Sequence, residues 1–296
     1  MPSSRSRGDL AAVRPIGVFD SGLGGLSVLR CLREALPGEA FVYVADSARA
    51  PYGDRPVAEV LGYSREIVDY LVGEAGCKAV VMACNTATAA AAETLRAERP
   101  GVPIVGMEPA VKPAAAATRT GVIGVMATAG TIASDKYAAL LSQHGDGARV
   151  LEDPCVGLVR LIEAGHLDDE VLRARLREIV PPMVAAGADA IVLGCTHFPL
   201  VIDEIRALAG PQVVVIDPAP AVARQVGRVL RESDPGALGS DDLRDSSPTL
   251  RLLTSGDVRA FRQNVRRVLG ERVLTEGEGV VEAWAGANLR GVRDGG

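Results

Sequence analysis

Two stretches of the chain share one hydrophobic pattern. Residues 76–88 (GCKAVVMACNTAT) and 187–197 (GADAIVLGCTH) each run through apolar β-formers to a small residue and a cysteine. The β-formers are Val80, Val81 and Met82 in the first and Ile191, Val192 and Leu193 in the second. Polar residues then open a helical pattern. A continuous apolar run of this length between polar flanks predicts a strand buried on both faces of a parallel sheet. Cys84 and Cys195 therefore fall where a strand ends and a helix begins. Open α/β sheets hold ligands there, and the helix dipole favours a thiolate.

The rest of the chain alternates in the same way. Ile16–Phe19 reads as a strand leading into Asp20-Ser-Gly-Leu-Gly-Gly25 and a helix marked by Leu26, Leu29 and Leu32. Phe41–Ala45 is a second strand, ending at Asp46 and a breaker-rich loop, SARAPYGDRP. Helical spacing covers 57–75, the first cysteine strand follows, and a helix spans about 86–98. A strand at 102–105 then runs into Glu108-Pro109-Ala110. There the pattern restarts. Val122–Met126 leads into Ala127-Thr128-Ala129-Gly130-Thr131, with a helix over 133–144, a short strand at Val150 and Leu151, and helices near 156–164 and 168–186. The second cysteine strand and a helix over 199–209 precede Val213–Ile216, which enters Asp217-Pro218-Ala219. Landmarks recurring in one order imply an internal duplication of two βα halves.

After the second half come a helix at 220–232, a polar linker at 233–248, a strand at 250–253 and a helix at 256–269. The predicted fold is α/β, with two pseudo-symmetric domains, each a mostly parallel sheet flanked by helices, and a site between them. Residues 15–107 with 218–270 are expected to form the first domain and 108–217 the second. The Gly-rich tail, 271–296, is expected to be loose.

Composition narrows the function. A chain of 296 residues suits two α/β domains, and 48% hydrophobic against 3% aromatic residues implies a core of Ala, Val, Leu and Ile. A net charge of −5 gives no nucleic-acid footprint. No apolar run approaches about 18 residues, which argues against a membrane span. The opening MPSSRSRGDLAAVR has arginines without an apolar stretch, so it does not read as a secretory leader, and 1–14 is expected to be a disordered arm. Five cysteines without framework spacing fit a reducing cytoplasm.

Buried free cysteine is ordinary in cores. Duplication and polar followers (Asn85-Thr86, Thr196-His197) set Cys84 and Cys195 apart, while Cys31, Cys77 and Cys155 lack such company. Asp20, with Ser21, occupies the same kind of junction. It could simply cap a helix, at about 1 kcal/mol, or act beside a thiol. Gly22, Gly24 and Gly25 require a tight turn or close approach to a ligand. Gly22-x-Gly24 with Asp46 imitates a dinucleotide fingerprint, but Ser27 stands at its third position and an aspartate before the loop would repel pyrophosphate. His197 could stabilise a thiolate or shuttle a proton. Two cysteines and one histidine without paired spacing make a poor zinc site. The three lysines, Lys78, Lys112 and Lys136, avoid strand ends, which disfavours pyridoxal chemistry, and no phosphate-loop motif is present.

One activated cysteine suits acyl transfer. Two facing each other suit a reaction symmetric about one carbon, such as racemisation, in which one base removes a Cα proton and the opposite acid delivers another. A free thiol, with a pKa of about 8.5, is a weak base for that proton, so the site must exclude water and stabilise a carbanion. Ser21, Asn85, Thr86, Thr128 and Thr196 are uncharged donors, and helix-start N–H groups add to them.

The blocks IGVFDSGLGG (16–25), DSARAPYGD (46–54), ACNTAT (83–88), LVRLIEAG (158–165) and GCTHFP (194–199) together resemble the cofactor-independent glutamate racemases of bacteria. The likeness covers about residues 16–265. It implies that Cys84 and Cys195 are the two bases, each serving one enantiomer, with no cofactor and no metal. Asp20 would support Cys84, and His197 and Glu163 would support Cys195. L- or D-glutamate would be bound by Asp20, Ser21, Tyr52, Gly53, Asn85, Thr86, Thr128, Thr131, Thr196 and His197. A homodimer supplying D-glutamate for peptidoglycan in the cytoplasm is also implied. Two other classes stay in view. A two-domain solute-binding protein would leave the matched cysteines unexplained. A cysteine hydrolase using Cys195 and His197 would leave Cys84 idle, and residues two apart rarely aim at each other at such a corner.

Overall fold

The computed structural model describes residues 14–145, 147–233, 250–275 and 279–284. Most of the expected arm at 1–14, of the linker at 233–248 and of the tail beyond 284 lies outside these residues.

The chain opens with β1 (Ile16–Asp20), α1 (Leu26–Ala35), β2 (Phe41–Ala45), α2 (Val57–Asp69), β3 (Ala79–Met82), α3 (Asn85–Glu98) and β4 (Ile104–Gly106). β1, β2 and β3 are buried at every position, as strands covered by helices on both faces must be. α4 (Val111–Ala117) leads to the second half: β5 (Val122–Ala127), α5 (Ala129–Ile132), α6 (Asp135–His144), β6 (Arg149–Asp153), α7 (Leu158–Glu163), α8 (Glu170–Ala185), β7 (Ala190–Gly194), α9 (Ile202–Ala209) and β8 (Val214–Ile216). α10 (Ala219–Ser233) then returns to pack on α1. β9 (Leu250–Thr254), α11 (Val258–Leu269), α12 (Arg272–Thr275) and β10 (Gly279–Ala283) follow.

The described strands form two sheets, ordered β10-β9-β2-β1-β3-β4 and β6-β5-β7-β8, and the pairings within them are parallel. The order β2-β1-β3-β4 recurs as β6-β5-β7-β8, so both halves share one topology. In each half the strand order reverses beside the first strand, between β1 and β3 and between β5 and β7. Such a reversal opens a crevice at the carboxyl edge of a sheet. One buried cluster runs from Ile16, Val18 and Leu26 through Met107 and Met126 to Leu158, Ile191 and Phe198, joining the inner faces of both halves.

Two elements depart from the sequence reading. A short helix the sequence did not suggest, α5, precedes the one expected over 133–144: the Thr128 side chain accepts from Thr131 N and starts α5 at Ala129, while Ser134 caps α6, which fills the expected span. The tail expected to be loose contributes β10, paired with β9 in register from Gly279↔Leu250 to Ala283↔Thr254. Val281 and Trp284 are buried there. Gly-rich composition concealed the strand, since an edge strand half open to solvent carries little apolar periodicity.

Candidate active site

Cys84 follows β3 as the N-cap of α3. Its Sγ accepts from Ala87 N at 3.4 Å and lies 3.9 Å from Ser21 Oγ. Cys195 follows β7 directly. The two sulfurs border the same cavity, together with Ser21, Tyr52, Gly53, Asn85, Thr86, Thr128, Thr196 and His197. Pro51, Val159 and Gly194 complete the lining. These three went unread in the sequence, being apolar or small residues with no chemical signal. The free volume is about 10 Å³, room for about one water molecule and far less than an amino acid occupies.

Asp20, fully buried at the end of β1, stands behind the cavity wall. Its Oδ2 accepts from Gly22 N at 3.2 Å and Gly25 N at 3.0 Å, and its Oδ1 from Thr196 Oγ1 at 3.3 Å. One carboxylate thus fastens the glycine turn of the first half to the Cys195 loop of the second. On the other flank, Cys195 Sγ lies 3.7 Å from His197 Nδ1, and His197 Nε2 lies 2.5 Å from Glu163 Oε1. Leu23 N donates to the same Glu163 oxygen at 2.8 Å. Cys195 and His197 do approach each other, against the sequence expectation, with His197 in helical backbone geometry just before a 3₁₀ turn at Phe198–Val201. Cys84 borders the same cavity, so a mechanism resting on Cys195 and His197 alone leaves it idle.

The two flanks differ in charge. Burial and then the Asp20 carboxylate push the Cys84 thiol far above its ordinary range. Burial disfavours a charged His197, but the Cys195 sulfur and Glu163 outweigh it and hold the imidazole well above its usual pKa. Burial also raises Asp20, with His197 and the Gly25 N–H opposing it. The Cys84 side accordingly favours a neutral thiol, whereas the Cys195 sulfur lies beside an imidazole biased toward its charged form.

Across the cleft Thr86 Oγ1, Thr128 Oγ1 and Thr131 Oγ1 form a triangle with sides of 2.9, 3.3 and 3.0 Å. Thr131 meets the cavity only through this triangle. The Asn85 side chain is buried in the cavity wall with neither its oxygen nor its nitrogen hydrogen-bonded. A buried amide left in this way costs about 1–3 kcal/mol per group, a cost that a polar ligand would relieve. Among the described residues no group of three or more His, Cys, Asp and Glu side chains could hold a metal ion, and no helix is long and apolar enough to cross a membrane.

Comparison with known proteins identifies the family and the fold. Residues 16–226 match the family described as Asp/Glu/hydantoin racemase. A glutamate racemase of Ectopseudomonas mendocina is 47% identical over 260 residues, which is 87% of this chain and 95% of that protein. A glutamate racemase structure from Bacillus anthracis superposes with a TM-score of 0.79 at 32% identity, covering 92% of this chain and 97% of the other. One from Francisella tularensis, solved in complex with D-glutamate, gives 0.76 at 27% identity over the same shares. With more than half its length matched and close relatives spanned almost end to end, the chain belongs to the Asp/Glu/hydantoin racemase family.

Proposed function

We propose that this racemase interconverts L- and D-glutamate by passing Cα protons between Cys84 and Cys195, without a cofactor. The observation that carries the reading is the pair of sulfurs bordering one small cavity at equivalent strand–helix junctions. Glutamate as the substrate rests on the names of the relatives and on the D-glutamate complex of the Francisella tularensis protein.

The chemistry runs as two half-steps. A thiolate takes the Cα proton, its S–H bond forming as the C–H bond breaks, and the electron pair passes into the α-carboxylate. The opposite thiol then gives its proton to the other face of the carbon, and its S–H electrons stay on sulfur. Turnover leaves the two sulfurs with exchanged protonation, and proton exchange with water resets them once product has left. In the starting state we propose Cys84 as the proton donor, since burial and Asp20 hold its thiol far up, and the sulfur beside His197 as the acceptor. Asn85, Thr86 and Thr128, with the N–H groups opening α3, are uncharged donors suited to the carboxylates, and they stabilise the developing charge without neutralising the thiolate. Enclosure keeps out the water that would quench it.

The resemblance also supports supply of D-glutamate to peptidoglycan in the cytoplasm, by a homodimer. Incubation in D₂O tests the activity. L-Glutamate should gain deuterium at Cα as the D-isomer forms, and L-aspartate should react far more slowly. Absence of exchange with either glutamate isomer would reject the reading.

A further inference from the structure

Tyr52 borders the cavity, yet its hydroxyl donates to a carboxylate outside it, that of Asp46. Asp46 closes the β2 segment and is fully buried. Both its oxygens are engaged. Oδ2 takes the Tyr52 phenol and Arg49 Nε, the latter at 2.6 Å, and Oδ1 takes Ser255 Oγ at 2.8 Å. Its backbone N–H donates to the Asp20 carbonyl at 3.0 Å, and its carbonyl accepts from Arg49 N at 3.0 Å. Burial first, and then Asp46, hold the Tyr52 phenol far above its usual pKa, so it stays a donor.

We infer that Asp46 is a positioning residue of the racemase site: through the Tyr52 phenol it fixes the Tyr52–Gly53 wall that lines the cavity with Cys84. The wall has no slack for an alternative seat. A Cβ on Gly53 would lie 2.6 Å from Thr128 Cβ, and one on Gly130 would lie 2.9 Å from the Gly53 carbonyl. The segment therefore sits where backbone meets backbone across the cleft. The brace reaches the end of the chain as well. Ser255 follows β9 and also accepts from Ala48 N at 3.1 Å, while the Arg49 guanidinium lies 5.7 Å from the ring centroid of Trp284, just after β10. The C-terminal segment thus supports the substrate wall without touching the cavity. A positioned wall matters because a displacement of about 1 Å can cost about 10²-fold in rate.

The inference rests on the racemase reading for its effect on turnover, and alkylation of Cys84 tests it independently of any substrate. Cys84 and Cys77 are both buried, but of the two only Cys84 lines the cavity with Tyr52. In Asp46→Asn, iodoacetamide labelling of Cys84, read by peptide mass spectrometry without substrate, should rise at least about tenfold while Cys77 stays unchanged. Tyr52→Phe should do the same, and the double variant should add little to either single one, because both substitutions act through the Tyr52–Asp46 hydrogen bond. For L-glutamate, kcat/KM should fall by about 10–100-fold in each. Should Asp46→Asn not fold, Ser255→Ala removes a single hydroxyl from the brace and should raise Cys84 labelling selectively to a smaller degree. Equal rises at Cys77 and Cys84 would mark a general loss of stability and overturn the inference, as would unchanged Cys84 labelling or additive effects of the two substitutions. Wild-type protein that does not racemise glutamate would instead reject the functional reading and leave the labelling result standing.

Discussion

Gly24 offers the sharpest perturbation of the Cys195 flank, because it touches the imidazole without belonging to the chemistry. A Cβ at this position would lie 2.5 Å from His197 Nδ1 and 2.8 Å from the two adjoining ring carbons. Ordinary contact begins near 3.4 Å, so the ring must retreat by roughly 1 Å in Gly24→Ala. It has nowhere to go. His197 is 1% exposed and is held by Glu163 Oε1 at 2.5 Å on one side and Cys195 Sγ at 3.7 Å on the other. Retreat by that amount stretches one of these contacts beyond hydrogen-bond range. A misplacement of about 1 Å in a reacting constellation corresponds to about 10²-fold in kcat/KM, or about 2.7 kcal/mol of transition-state stabilisation. Overpacking should also cost about 1–3 kcal/mol of folding stability. Steady-state racemisation followed by circular dichroism at 25 °C, far below the melting transition, separates the two effects. Gly62→Ala is the control. It sits exposed in α2 with no atom within 4 Å of its added Cβ, and it should stabilise the helix by about 1 kcal/mol with activity unchanged. A Gly24→Ala enzyme within twofold of wild type would refute the assignment of His197 to the working site.

Cys84→Ala and Cys195→Ala should each abolish racemisation, while Cys31→Ala, on α1 away from the cavity, should keep wild-type kcat. The pH dependence of kcat/KM should be bell-shaped, one thiol being required ionised and the other protonated, and a flat profile through the thiol range would refute the two-base scheme. Asp189 should contribute to acid stability. Burial raises its pKa, but the Thr118 hydroxyl and the Arg119 and Thr120 N–H groups outweigh this and hold it at about 2. A carboxylate depressed in the folded state stabilises above its unfolded pKa, and the contribution is lost as pH falls through the folded one. Asp189→Asn should therefore unfold more readily than wild type at neutral pH, and the difference should shrink in denaturant melts between about pH 4 and pH 2.

Local signals carried most of the fold and half of the site. Apolar runs ending in Cys84 and Cys195 were readable because a doubly covered parallel strand leaves a dense hydrophobic trace and a sharp polar end. Asp20, Ser21, Asn85 and Thr196 were readable for the same reason, each lying within two residues of a strand or helix end. Glu163 was not. Within LVRLIEAG it resembles any charge closing a helix, and its partners, Leu23 and His197, lie 140 and 34 positions away. Only the resemblance pointed to it. Asp46 was legible as the end of a strand but not as an anchor for Tyr52, since its oxygens reach Ser255 over 209 positions. Contacts made by chain reversal leave no periodic trace in sequence.

The halves are duplicated in topology and unequal in chemistry, and thermodynamics limits what that inequality can do. Cys84 has a buried carboxylate and a braced aromatic wall beside it, whereas Cys195 has an imidazole held by a glutamate. Enantiomers have equal free energy in water, so the equilibrium constant of a racemase acting on them is unity. The ratio of kcat/KM in the two directions is then unity as well, whatever surrounds each sulfur. Unequal flanks can redistribute kcat and KM between directions, and no substitution can favour one enantiomer overall. Gly24→Ala must accordingly lower kcat/KM for L- and D-glutamate by the same factor, although it disturbs only the Cys195 side. Changes in kcat alone are free to differ, and their difference reports which sulfur holds the proton when substrate arrives.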